Sequence, residues 1–148
     1  MDKQRQALKA VAEELSKTIG AGVTVGLGSG STVAALLEEL SPLLLERKVA
    51  VKGVPTSTQI ELVAVRSGIG LAPFAGRVDL VLDGADQVDK SLNLIKGGGG
   101  ALLREKVLMG SSKKTVIVAS EGKFAPRLCE NGVKVPVEVV PIARESAK

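Results

Sequence analysis

Short apolar segments alternate with amphipathic helical patterns along most of this 148-residue chain, and that alternation limits the folds open to it. Continuous apolar runs predict buried strands, and apolar residues that recur every third or fourth position predict helices packed on a sheet. Strands joined through helices run parallel, because a parallel pair needs a long crossover connection. The sequence therefore predicts βαβ units with a sheet covered on both faces.

The predicted elements extend from residue 5 to residue 143. Helices are predicted at 5–19, 32–45, 58–68 and 101–109, and strands at 23–28, 49–55, 78–83, 115–120 and 137–143. No linker or internal repeat interrupts them, so we expect a single α/β catalytic domain over residues 1–148. Its expected architecture is a three-layer, Rossmann-like open sheet, mostly parallel, with helices on both faces.

The composition disfavours several classes of function. The chain has no histidine, one cysteine (Cys129) and a net charge of +4. A zinc site therefore lacks its usual ligands, and proton transfer must fall to carboxylates, lysines or hydroxyls. Unclustered basic residues and the absence of Trp and Tyr argue against nucleic-acid binding. With no apolar run that could span a bilayer and no apolar signal segment, we expect a cytoplasmic protein without a membrane partner.

Three loops should lie at the carboxyl ends of the strands, where open α/β sheets bind their ligands. They are residues 28–32, 56–59 and 83–100. The first combines glycines and hydroxyls with a helix start, which predicts an anion site, most simply for phosphate. A tight turn with a Ser or Thr cap is the alternative. A dinucleotide loop is disfavoured, because its third glycine would fall on Ser31. In the second loop, Thr56 or Ser57 is expected to cap a helix, and hydroxyl contacts to a ligand from the same position are the alternative.

The third loop carries groups suited to proton transfer. Asp83 and Asp86 follow a strand with no bulky residue between them, so both carboxylates can approach one small ligand. Each aspartate alone could equally be a turn former. Lys96 could stabilise an oxyanion, and the four glycines after it indicate close backbone approach to a ligand. Glu105, in the next helix, is either a general base or a solvated charge favoured by the helix dipole.

Taken together, these segments resemble the ribose-5-phosphate isomerase family of the A type. The resemblance covers essentially the whole chain in order and depends on five motifs. They are VGLGSGST (25–32), VPTSTQ (54–59), the long stretch from VDLVLDGAD to LLREKV (78–107), VIVASEGK (116–123) and VPVEVVP (135–141). It implies interconversion of D-ribose 5-phosphate and D-ribulose 5-phosphate through an enediolate, in the pentose phosphate pathway, with no metal ion or organic cofactor. A non-catalytic sugar-phosphate-binding domain, or an inactive truncated isomerase, is the alternative.

The resemblance also implies a role for each site residue. It implies that Glu105 is the base that moves a proton between C2 and C1, and that Asp83 is the acid–base partner for ring opening and hydroxyl protons. Lys96 is implied to stabilise the enediolate, and Asp86 to hold sugar hydroxyls. The residues implied to bind substrate and phosphate are Gly28, Ser29, Gly30, Ser31, Thr32, Gly97, Gly98, Gly99 and Lys123.

Three features depart from the family pattern. Gln87 stands where the family usually has glutamate in DGADE. Leu8 and Lys9 occupy the place of a lysine pair, one member of which contacts phosphate, so Lys9 is a further candidate. Family members continue past VPVEVVP into a small α/β lid domain, whereas this sequence ends at Lys148. The match is therefore to the N-terminal, main domain, and a homo-oligomer, dimer or tetramer, is expected.

Overall fold

The computed structural model describes residues 3–147, which form a parallel sheet flanked by helices and a separate two-stranded hairpin. The strands are β1 (Thr24–Leu27), β2 (Lys52–Pro55), β3 (Gly70–Leu71), β4 (Val78–Gly84), β5 (Gln87–Val88), β6 (Leu94–Ile95) and β7 (Ser112–Val118). The helices are α1 (Lys3–Thr18), α2 (Ser31–Glu46), α3 (Thr58–Arg66) and α4 (Leu102–Gly110), and single 3₁₀ turns lie at Glu121–Lys123, Glu130–Gly132 and Pro141–Ala143. The main sheet has the order β3-β2-β1-β4-β7, with every pair parallel, and β5 and β6 form a separate antiparallel hairpin.

Side-chain alternation along the strands decides what covers each face of the sheet. Leu27 of β1 and Leu82 of β4 point to one face, where helices α1, α2 and α3 form the larger apolar core. Val54 and Val81 point to the other face and pack against Leu108 of α4. The predicted α/β architecture, with helices on both faces of a parallel sheet, is confirmed.

The order of the strands places a crevice between β1 and β4. From β1 the chain moves through β2 to β3 at one edge of the sheet, and from β4 it moves to β7 at the other. The direction of winding therefore reverses between these two strands, which is where open α/β sheets bind ligands. Leu27 is paired with Leu82, so the residues that follow each, Gly28 and Asp83, emerge side by side.

The predicted strand at 137–143 is wrong. Within residues 3–147 this segment joins no strand, and its last residues form a 3₁₀ turn. Val137 is 77% exposed and Val140 63% exposed, so neither side chain packs against the sheet. Apolar alternation favours a strand, but a strand forms only where its backbone pairs with another strand. The fifth strand is instead β3, a two-residue strand paired with β2. The other predicted helices and strands are present, with ends shifted by at most three residues.

Two further predictions concern the limits of the chain and its relation to membranes. The predicted domain limits, residues 1 and 148, lie outside the described residues. Among residues 3–147, no helix combines the length and apolar character needed to cross a bilayer.

Candidate active site

A polar cavity of about 150 Å³ opens at the carboxyl ends of β1 and β4. Its walls are the loop that leads into α2, the end of β4, the glycine loop before α4, and one lysine from a 3₁₀ turn. The lining residues are Ser29, Gly30, Ser31, Thr32, Asp83, Gly84, Ala85, Asp86, Lys96, Gly97, Gly98, Gly99, Glu105 and Lys123. Of the predicted catalytic and substrate-binding residues, all but Gly28 and the further candidate Lys9 line this one cavity. Gly84 and Ala85, which the sequence did not single out, line it as well. A larger groove of about 600 Å³ beside α4 has mainly apolar walls.

Lys96 lies between the two buried acids of this cavity. Its Nζ is 3.0 Å from Asp83 Oδ2 and 3.1 Å from Glu105 Oε2, and it donates a hydrogen bond of 2.6 Å to the Gly84 carbonyl. The Asp83 and Glu105 side chains are 1% and 3% exposed. The ammonium meets both carboxylates at ion-pair distance, and neither oxygen has a further partner among the residues described. Those two oxygens can therefore still accept a proton or a hydrogen bond from a ligand.

The environment of Asp83 changes its acidity. Burial raises the pKa of Asp83 from the ordinary 3.8 to about 6, because the charged form loses its hydration. The Lys96 ammonium opposes this rise in pKa, and the nearby charge of Glu105 adds to it. Asp83 is therefore a carboxyl group that can hold or release a proton near neutral pH.

Glu105 points into the protein. Its backbone N–H donates to the Ala101 carbonyl at 2.9 Å, which places it in the first turn of α4. The Ser29 hydroxyl donates to Glu105 Oε1, so the loop before α2 contacts the acid on α4 directly. A residue only 3% exposed cannot be a solvated helix charge, and the structure excludes that alternative.

Contacts with the protein's own side chains explain why several positions of the glycine loop (97–100) require glycine. The Gly98 N–H donates to Asp86 Oδ2 at 2.8 Å, and a Cβ on Gly98 would lie 2.8 Å from Asp86 Oδ1. A Cβ on Gly99 would lie 3.0 Å from Ser29 Oγ. Gly97 has a φ of +98°, which L side chains rarely adopt. Gly98 and Gly99 thus make close backbone approaches to Asp86 and Ser29, and the approach of this loop to a ligand stays a prediction.

Gly28 is absent from the cavity lining, and packing explains its identity. A Cβ at this position would lie 2.2 Å from the Cγ and Oδ1 atoms of Asp83. No side chain can coexist with the observed Asp83 carboxylate. Gly28 therefore makes room for the acid, which the sequence pattern could not separate from a phosphate contact.

The end of the cavity best suited to an anion is the start of α2. This 16-residue helix begins at Ser31, and its N-cap Gly30 provides no side-chain hydrogen bond. The free N–H groups of the first turn, the hydroxyls of Ser31 and Thr32, and the ammonium of Lys123 all border the same cavity. Such a set of donors suits a phosphate group.

Two other predicted contacts lie elsewhere. Thr56 is 2% exposed and donates to the Leu27 carbonyl, and Ser57 caps α3 by accepting the Ile60 N–H. The 56–59 loop does not line the cavity. Lys9 is exposed on α1 and does not line it either. Among residues 3–147, no group of three or more acids, cysteines or histidines is arranged to hold a metal ion.

Gln87 has a structural role that the sequence did not predict. Its buried amide donates from Nε2 to the Glu130 carbonyl at 2.8 Å and accepts at Oε1 from the Cys129 N–H at 2.6 Å. The amide uses both a donor and an acceptor, whereas an ionised carboxylate could only accept. Gln87 therefore ties the turn at 129–130 to the β5–β6 hairpin, which leads directly to Lys96.

Known proteins resemble this chain in both sequence and structure. The family model described as ribose 5-phosphate isomerase A (phosphoriboisomerase A) matches residues 52–148. The ribose-5-phosphate isomerase A of Desulfatibacillum aliphaticivorans is 44% identical over 99% of this chain and 64% of that protein. The probable ribose-5-phosphate isomerase 1 of Arabidopsis thaliana is 43% identical over 93% of this chain and 53% of that protein.

Solved structures agree with these sequence relatives. The ribose 5-phosphate isomerase A of Methanocaldococcus jannaschii superimposes with a TM-score of 0.86 at 36% identity, over 95% of this chain and 64% of that one. A D-ribose-5-phosphate isomerase in complex with phospho-erythronic acid also gives 0.86 at 36% identity, over 96% of this chain and 63% of that one. The chain thus spans less than two thirds of the length of these relatives. It belongs to the ribose-5-phosphate isomerase A family.

Proposed function

We propose that this chain interconverts D-ribose 5-phosphate and D-ribulose 5-phosphate through an enediolate, without a metal ion or organic cofactor. The observation that carries the proposal is the contact of the Asp83 and Glu105 carboxylates with Lys96 at 3.0 and 3.1 Å, inside a cavity bordered by anion-binding groups. Family membership supports it. So does the related isomerase that binds phospho-erythronic acid, a phosphorylated sugar acid.

Glu105 is the proposed base. Its Oε2 would take the proton from C2 of the open-chain aldose and return it to C1, while the electron pair moves through the enediolate to give the ketose. No external oxidant or reductant is needed, because one carbon is oxidised as its neighbour is reduced. The Ser29 hydroxyl on Oε1 would orient the carboxylate and leave Oε2 for the reacting carbons.

Lys96 and Asp83 are proposed to serve the sugar oxygens. The Lys96 ammonium would stabilise the negative charge that develops on oxygen in the enediolate. Asp83, with a pKa raised to about 6, would exchange protons with the hydroxyls and assist ring opening. We further propose that Asp86 holds sugar hydroxyls. Phosphate would bind at the start of α2, between the 29–32 loop, the glycine loop and Lys123.

The Glu105→Gln variant tests the proposed base. It keeps the shape of the side chain but cannot take a proton, so we expect kcat to fall by about a thousandfold or more while ribose 5-phosphate still binds. A coupled assay for ribulose 5-phosphate measures turnover, and calorimetry measures binding. Glu13→Gln, at an exposed position on α1, is the charge-matched control. Unchanged turnover in Glu105→Gln would remove Glu105 from this role, and wild-type binding without turnover would favour a sugar-phosphate-binding module.

The wider properties of the protein are also proposals. We propose that residues 1–148 act as one α/β catalytic domain, as a homo-oligomer in the cytoplasm. An unpaired Cys129 supports a reducing compartment. Apolar side chains such as Val137 and Ile142, which are 77% and 94% exposed, support association between copies. Light scattering would give the mass in solution, and a monomer at all concentrations would refute the oligomer.

A further inference from the structure

Helix α4 carries the proposed base but begins without a cap of its own. Its N-cap residue is Ala101, whose side chain cannot accept a hydrogen bond. The first N–H groups of a helix have no partner within the helix and need an acceptor from elsewhere. That acceptor comes from the C-terminal part of the chain, where Glu138 Oε2 accepts the Leu103 N–H at 2.6 Å, across 35 residues of sequence.

We propose that Glu138 is a positioning residue for Glu105, an inference that rests on the isomerase function proposed above. Leu103 and Glu105 belong to the same first turn of α4. Glu105 is held on the inside by Ser29 and Lys96, and its own N–H closes that turn onto the Ala101 carbonyl. The Glu138 carboxylate holds the same turn from the outside. It also places negative charge at the positive end of the helix, which is favourable.

The first turn of α4 needs external support for three reasons. The glycine loop comes immediately before it, and Gly97 and Gly100 both have positive φ, so the chain that enters the helix loses much conformational freedom when it is ordered. The helix has only nine residues, too few to be stable without tertiary contacts. The turn also carries a buried charge, Glu105, whose neighbour Asp83 has the same sign. A cap at Leu103 resists displacement of this turn.

The segment that carries Glu138 is itself fastened to the other side of the site. The Ala125 N–H donates to the Val88 carbonyl at 2.9 Å, and the Gln87 amide binds the turn at 129–130. Both anchors lie on the β5–β6 hairpin, whose second strand ends one residue before Lys96. Residues 125–138 therefore run from the hairpin that leads to Lys96 to the helix turn that carries Glu105. Loss of the Glu138 contact would free this turn of α4 and leave the contacts with the hairpin in place.

Three substitutions separate the charge of Glu138 from its hydrogen bond. Glu138→Ala removes the acceptor, and we expect kcat to fall roughly five- to tenfold with KM within about twofold of wild type. Glu138→Gln keeps an oxygen that can accept the Leu103 N–H, so it should recover most of that loss. Glu138→Asp, whose carboxylate is one methylene shorter, should resemble the alanine variant. Assays well below the unfolding temperature of each variant exclude a simple loss of folded protein.

The charge-matched control is again Glu13→Gln, which should leave kcat and KM unchanged. If Glu138→Ala keeps a kcat within twofold of wild type, or if the control loses as much activity, the positioning role is overturned. An equal loss in the glutamine and alanine variants would also contradict a role through the hydrogen bond. The split between kcat and KM matters, because a general distortion of the cavity would weaken phosphate binding and raise KM as well.

Amide hydrogen exchange tests the same contact without substrate. In Glu138→Ala we expect faster exchange at residues 102–105 and unchanged exchange in β7. Equal exchange in variant and wild type would overturn the hold of Glu138 on α4. If the wild-type chain shows no turnover, the proposed isomerase function fails, and with it a catalytic purpose for Glu138. The exchange result would still decide whether Glu138 holds the helix.

Discussion

Replacing Lys96 with methionine should destabilise this protein strongly at pH 8 and only weakly at pH 5. The ammonium lies 3.0 Å from Asp83 and 3.1 Å from Glu105, and both acids are almost fully buried. Methionine has a similar length but no charge, so the variant leaves two like charges in the interior without a counter-ion. Removing one partner of a buried ion pair typically costs about 3–5 kcal/mol.

The pH dependence follows from the pKa of Asp83. In the wild type that pKa is about 6 in the folded state against an ordinary 3.8. A raised pKa means that the contribution of Asp83 to stability is complete below about pH 4 and is lost as the pH rises through about 6. A shift of about 2 pKa units corresponds to about 3 kcal/mol over that window. Because Lys96 lowers the pKa of Asp83, its removal raises this pKa further and extends the window upward.

At pH 5 Asp83 of the variant should be protonated in the folded state, because its pKa, already about 6 beside the ammonium, rises further without it. The repulsion between two like charges is then gone, and the lost hydrogen bond from Lys96 to the Gly84 carbonyl costs about 1 kcal/mol. At pH 8 the free energy of unfolding should fall by about 3–5 kcal/mol. A variant that does not fold at pH 8 but folds at pH 5 would agree with the same reasoning. The predicted difference between the two pH values is therefore at least about 2 kcal/mol.

Urea unfolding at both pH values measures this difference. The chain has no Trp or Tyr, so circular dichroism at 222 nm is the suitable probe. Lys113→Met is the control, because its ion pair with Asp79 is on the surface, with side-chain exposures of 76% and 37%. It should change the stability little at either pH, because exposed ion pairs contribute little. If Lys96→Met costs the same at pH 5 and pH 8, buried unpaired charge is not the cause and the reasoning is refuted.

Two further substitutions test the packing around the site. Gly28→Ala should destabilise by roughly 2 kcal/mol or more, because its Cβ would lie 2.2 Å from Asp83; Gly20→Ala, with no atom within 4 Å of its Cβ, should change stability by less than about 0.5 kcal/mol. Equal unfolding midpoints in urea for the two variants would contradict this. Gln87→Leu should cost about 2 kcal/mol, because the backbone at 129–130 loses the two hydrogen bonds that the Gln87 amide makes with it. Proteolysis near this turn should become faster, and unchanged cleavage would show that the turn does not depend on the amide.

Local patterns predicted most of the fold because the determining interactions are local. Helical periodicity over residues 5–19 and apolar runs such as 78–83 are properties of one segment and its burial, and α1 and β4 appear where they indicated. The segment 137–143 has equally good strand character but pairs with neither edge strand of the main sheet, β3 or β7. Two-residue β3 is too short for any periodicity, and only its register with β2 defines it. Pairing between distant segments is the information that local pattern lacks.

The same distinction applies to the site. Sequence order placed the 29–32 loop, Asp83 and the glycine loop together, because the carboxyl ends of adjacent parallel strands meet. It could not show that the 56–59 loop lies outside the cavity. Nor could it assign Gly28 to the packing of Asp83 or Glu138 to the cap of α4, since both depend on distances between atoms far apart in sequence.

The burial of Asp83 connects the stability of this fold with its chemistry. The carboxyl group acquires a pKa of about 6 because Gly28 leaves it room to sit at 1% exposure beside a second acid. The loss of hydration that makes Asp83 costly to ionise is therefore also what makes it able to exchange protons near neutral pH. Lys96 limits that cost without abolishing it, since the pKa remains raised beside the ammonium. A substitution that relieved the buried charge would also remove the proposed proton-transfer group, so under that proposal stability and activity cannot be raised together at this position.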